Sequence, residues 1–83
     1  MTDMFEIVRM QRLVEINVEP KTRQSLAAVY GRVWDTDELR AEFEVTGFMA
    51  PFVGVRRRTD GQKGSLEFQH HPRFYFNFVP DKP

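Results

Sequence analysis

The sequence predicts a small α+β domain: an N-terminal strand, one or two helices, then a three-stranded antiparallel meander with the helices packed on one face. Three observations carry this reading. Apolar and polar residues alternate near the N-terminus, helical spacing takes over in the middle, and the C-terminal half holds three strand-like runs separated by turn residues.

In "RLVEINVEP", residues 12–20, Val14, Ile16 and Val18 alternate with Glu15, Asn17 and Glu19, the period-2 mark of a half-buried strand, and Pro20 stops it. From Lys21 to Trp34 the pattern turns helical, with Leu26, Tyr30, Val33 and Trp34 at i, i+4, i+7 and i+8. Pro20 suits the first turn of that helix, and Gly31 weakens its second half by about 1 kcal/mol. A second helix start follows in "DTDEL", where Asp35 can cap and Glu38 stands three residues on, the spacing of a capping box. Leu39 and Phe43 are paired at i, i+4. Ala41, Phe43 and Val45 also alternate with Glu42, Glu44 and Thr46, so residues 43–48 read as helix or as strand.

"FVGVRRR", "SLEFQH" and "RFYFNFV" (52–58, 65–70 and 73–79) are the three strands of the meander. "TDGQKG" joins the first two through Asp-Gly, a strong hairpin signal, and both of its glycines are expected at positive φ. "HHP" joins the second and third, because proline cannot donate to a ladder. Strand alternation places Phe74, Phe76 and Phe78 on one face, beside Leu66 and Phe68, as the core.

At 83 residues the chain is expected to be one domain, 1–83, with a short tail from about residue 80. A core this small is marginal, and eleven aromatics, eight of them Phe, offset that with large buried areas. The absence of cysteine excludes disulfides, thiolate nucleophiles and cysteine-ligated zinc. "MTDMFEIVRM" places Asp3 and Glu6 where a secretory signal needs a basic and then an apolar run, and no stretch approaches ~18 apolar residues. The expectation is a soluble, cytoplasmic protein without a membrane partner. Net charge is zero, divided into −3 over residues 1–50 and +3 over residues 51–83. That neutrality argues against strong, non-specific nucleic-acid binding.

The candidate sites lie in the C-terminal half. If Val53 and Val55 point inward, Arg56 and Arg58 point outward and join Glu67, Gln69, His71, Arg73 and Tyr75 on a polar sheet face that contains an aromatic ring. Such faces stack single-stranded bases between basic groups. The competing reading is a solvated face, in which Glu67 would repel phosphate. Arg57 falls opposite Arg56 and Arg58; the basic run is either a protected strand edge or an anion site that Lys63 joins as a point charge. "GQKG" has the G-x-x-G form of the KH loop, but strands flank it here, which argues against the match. His70 and His71 point to opposite strand faces, so no metal site is expected, and His70 tends inward. Neither serine lies in a G-x-S-x-G elbow and no glycine-rich phosphate loop occurs, so neither an enzyme nor a cofactor is expected.

The blocks "GFMAPF", "RRRTDG" and "HHPRFYF", within residues 43–78, resemble short bacterial proteins of the kind found in mobile gene cassettes. The resemblance implies a bacterial source, and it brings no activity and no functional residues with it. The leading expectation is a non-enzymatic module that binds another protein or itself. Its edge would be strand 52–58 or strand 12–18, or its contact the 21–34 helix. The first alternative is a single-stranded nucleic-acid binder using Arg56, Arg58, His71, Arg73 and Tyr75. A second alternative is a small anion or metabolite bound at a dimer interface.

Overall fold

A computed structural model describes residues 4–81, apart from the side chain of Val18. In chain order the elements are α1 (Met4–Val18), α2 (Arg23–Tyr30), β1 (Val33–Trp34), α3 (Thr36–Glu42), β2 (Phe43–Met49), β3 (Phe52–Arg57), β4 (Lys63–Gln69) and β5 (Phe74–Pro80). The class is α+β, with the strands in one antiparallel sheet of order β1-β5-β4-β3-β2.

The N-terminal segment is a helix, not the expected strand. Alternation over residues 14–19 covers less than two helical turns, and the residues before it extend a longer helical pattern. Met, Glu, Arg, Gln and Leu propagate helix well, and neither Gly nor Pro interrupts residues 4–18. Of the three alternating residues, Ile16 is buried and Val14 is exposed.

The second helix is shorter than its spacing suggests. Thr22 caps it, accepting at Oγ1 from the Ser25 amide at 3.1 Å, so Pro20 lies before the first turn. Gly31, at φ +83°, ends it by donating its N–H to Ala27 O at 2.9 Å. The chain then turns into β1, where Val33 and Trp34 pair with Phe76 and Tyr75. α3 starts with the expected capping box: Asp35 Oδ1 accepts from the Glu38 amide (2.8 Å) and Glu38 Oε1 from the Asp35 amide (2.9 Å). Residues 43–48 are strand, in β2, with Val45 in register with Val55.

The hairpin after β3 turns at Gly61, φ +74°, where the Gly61 N–H donates to Arg57 O at 2.8 Å. Gly64, expected in that turn, lies in β4 instead. A Cβ there would come within 2.6 Å of the Val79 carbonyl oxygen and the Phe78 ring, so this position accepts only glycine without rearrangement. β5 continues to Pro80, and the Asp81 amide still donates to Lys63 O at 2.9 Å, so pairing runs past the expected start of the tail. Residues 82–83 lie outside the described residues.

Phe78 does not share a face with Phe74 and Phe76. The β4–β5 register runs from Glu67↔Phe76 to Ser65↔Val79, so Asn77 and Phe78 together oppose Leu66. This is a β-bulge, and Asn77 takes the left-handed conformation it needs, φ +59°. The extra residue turns Phe78 onto the same side as Tyr75, where its ring lies 5.3 Å from Phe43. Phe76 remains on the other side, 4.7 Å from Tyr30.

The sheet is strongly coiled. β1 and β2 are its two edges, and in a flat sheet four spacings of ~4.8 Å would separate them by roughly 19 Å. Yet Trp34 of β1 and Phe43 of β2 meet edge to face with centroids 5.5 Å apart. α3 links these two edges and closes the gap, burying Leu39 beside Trp34 and Phe43. Val53, Val55, Leu66, Phe68 and Tyr75 fill the concave side. A second cluster, Ile16, Leu26, Val33 and Phe76, lies on the convex side under α1 and α2. The helices therefore cover both faces rather than the expected one, because adjacent residues such as Val33 and Trp34 feed opposite clusters.

Candidate interaction surface

The expected basic and aromatic sheet face is dispersed. Tyr75 is 2% exposed in the concave core, so its ring has no open face for a base. Arg73 stays with it, donating to the Tyr75 hydroxyl at 3.4 Å and lying 4.8 Å over the Phe68 ring. Arg56 points to the convex side. There it forms a cross-strand row with its register partners Glu44 and Lys63, donating to Glu44 at 2.7 Å. That hydrogen bond, with the guanidinium charge, holds the Glu44 carboxyl below the ordinary carboxylate range. Arg58 donates to the Arg40 carbonyl at 3.0 Å. His71 is exposed in the turn after β4. Of the six candidate residues, the structure joins Arg73 with Tyr75 and Arg56 with Lys63, on opposite faces.

His70 is also exposed rather than turned inward, because β4 ends at Gln69 and His70 begins the turn. Its ring contacts Phe68 from outside, at 5.5 Å between centroids. Arg57 points to the concave side, as alternation predicts, and forks onto Asp60 at 3.0 and 2.7 Å while lying 5.5 Å over Phe78. That fork and the Gln62 amide bring the Asp60 carboxyl down to about 2. Neither expected pairing edge exists. β3, residues 52–57, is flanked by β2 and β4, and residues 12–18 are helical.

The most unusual surface belongs to α1. Its sheet-facing side carries polar anchors. Arg12 donates from Nε to Glu67 Oε2 at 2.7 Å and from Nη2 to the Tyr30 hydroxyl at 2.6 Å. Glu67, only 8% exposed, also accepts from Asn77 Nδ2 at 2.9 Å, which ties the helix to the β5 bulge. Burial pulls the Arg12 pKa down, but the bonds to Tyr30 and Glu67 outweigh it and hold the guanidinium above its ordinary value. Arg9 donates to Ala50 O at 2.6 Å and pairs with Glu6. At the end of α1, Gln69 reaches from β4 to bond both the amide and the carbonyl of Lys21 (3.1 and 2.7 Å).

Ile16 shares the sheet-facing side of α1 with these polar groups, and most of the other apolar residues of the helix face solvent. Met4 (72% exposed), Ile7, Val8, Met10 and Val14 (58%) are among these. Met4, Ile7, Val8 and Val14 follow helical spacing, and Met10, Gln11, Val14 and Glu15 line a shallow open depression. A soluble helix ordinarily turns its apolar stripe to the core. This signal was present in the sequence, but a strand reading of residues 12–18 conceals it.

Between α1 and α2 lies a separate cleft of about 120 Å³, lined by Ile16, Leu26, Tyr30 and Phe76, with Arg12 and Gln69 at its edge. At ~30 Å³ per water this holds roughly four molecules, well short of the ~300 Å³ of the smaller ligand pockets. Among the described residues, no group of three or more His, Asp or Glu is placed to hold a metal ion, and no helix is long and apolar enough to cross a membrane.

No family model matches the chain, and neither does any curated protein or solved structure.

Proposed function

We propose that the protein is a non-enzymatic interaction module whose docking surface is the outward face of α1. The observation that carries this reading is the inverted helix, with Arg9 and Arg12 bonded into the protein while Met4, Ile7, Val8, Met10 and Val14 face solvent. Contiguous exposed apolar surface of this kind marks sites that another molecule covers. A protein fits better than a lipid surface. Interfacial helices flank their apolar face with Lys and Arg, whereas both basic residues of α1 are engaged on its inner side.

The test is affinity capture with the native chain and with an Ile7→Lys/Val14→Lys variant, both changes lying on the exposed side. A polypeptide, whether another protein or a second copy, that the native bait retains and the still-folded variant loses supports the reading. Equal retention by both overturns it.

A further inference from the structure

We infer that the cleft between α1 and α2 binds a small organic acid, a single ring or short branched chain that ends in a carboxylate. This site does not depend on the reading of the outward face of α1. Ile16, Leu26 and Phe76, all buried, form the apolar floor of the cleft, and Tyr30, whose ring lies 4.7 Å from Phe76, stands beside them. Packed interiors leave few voids larger than one water, and at about 120 Å³ this space is several times that. The volume limits the occupant to one group, since an apolar cavity of ~150 Å³ takes a single benzene ring.

The rim selects the head group. Gln69, itself buried, bonds both the amide and the carbonyl of Lys21 and so fixes that residue at the rim, where α1 leads into α2. Among the described residues, Lys21 Nζ has a 3.9 Å contact with exposed Glu19, and an exposed pair at that distance holds the ammonium weakly. Ser25, on the same rim, accepts from the Thr22 hydroxyl at 3.0 Å and keeps its own proton to donate. Arg12 is committed elsewhere, through Nε to Glu67, Nη2 to Tyr30 and Nη1 to Glu15. The last of these bonds holds Glu15, the acidic residue that lines the cleft. Lys21 and Ser25 therefore present an ammonium and a hydroxyl donor above an apolar floor. That combination matches an anion with an apolar tail: the ring or branched chain lies over Ile16, Leu26 and Phe76 while the carboxylate takes Lys21 and Ser25.

Phenylacetate and its neutral analogue phenylacetamide are titrated at neutral pH into the isotopically labelled native chain and into Lys21→Gln, and binding is followed by NMR. Lys21 is exposed, so its replacement leaves the core intact. The expected result is saturable shifts concentrated at the Gln69 side-chain amide and the backbone amides of Ser25, Leu26 and Tyr30. The native chain should prefer the acid to the amide by about threefold or more, and Lys21→Gln should lose that preference. Equal binding of acid and amide by the native chain overturns the carboxylate head, and a preference that survives in Lys21→Gln overturns the part given to Lys21. No saturable shift at these positions with either compound overturns the site. The peptide Gly-Gly-Phe carries the same ring and carboxylate at a chain end, and its binding more tightly than phenylacetate overturns the free acid as the source.

Discussion

Arg12 and Glu67 join α1 to the middle of β4 through a 2.7 Å hydrogen bond between Nε and Oε2, across 55 residues of sequence. The bond orients the helix, because it fixes a charged side chain on the inner face where an apolar one is ordinarily found. Removing one partner takes the closest opposite charge from a side chain that stays largely buried, whereas removing both with apolar replacements leaves no charge behind. Breaking a fully buried pair costs ~3–5 kcal/mol, and Arg12 retains some solvent contact, so Arg12→Met or Glu67→Leu alone is expected to lose about 2 kcal/mol. The double variant should lose clearly less than the sum. Urea denaturation of the four proteins measures the coupling, and additive losses would contradict it.

The Arg57–Asp60 fork gives a pH-dependent prediction. Asp60 has a folded-state pKa depressed to about 2 by Arg57 and the Gln62 amide, so its contribution is present above the unfolded value near ~4 and is lost as pH falls toward 2. Asp60→Asn should lower Tm at pH 6, and the gap from the native chain should close between pH 4 and pH 2. A gap that is constant or grows on acidification would show that Asp60 acts through something other than its charge.

Asn77 makes the bulge and bonds Glu67. Asn77→Gly keeps the backbone conformation and loses the bond, for about 1 kcal/mol. Asn77→Val adds the strain of a β-branched residue at positive φ, a further ~1–2 kcal/mol. Equal unfolding midpoints for the two variants would mean that the bulge does not depend on the left-handed residue.

Tyr75 is a core residue, and Tyr75→Ala is expected to cost about 3 kcal/mol of stability by opening a cavity beside Phe68 and Trp34. A variant of unchanged stability would restore the sequence expectation of an outward, stacking ring.

The elements set by neighbours in sequence were legible. The Asp35–Glu38 capping box, the Gly61 turn and the strand character of β3, β4 and β5 follow from residues a few positions apart. Features set by distant partners were not. Val33 and Trp34 are strand only because β5 accepts them, and Phe78 changes face only because Leu66 pairs with two residues at once. The candidate surface had the same obstacle. Met4, Ile7, Val8 and Val14 lie at helical spacing in the sequence, but their exposure depends on Glu67 holding the opposite side of α1.

The decisive measurement is photo-crosslinking in the living cell, with a photoreactive residue at Val8 on the outward face of α1 and, as control, at exposed Arg56 on the convex sheet face. The interaction-module reading predicts a discrete polypeptide adduct from position 8 that position 56 does not give. No adduct from position 8, or the same adducts from both positions, would contradict it.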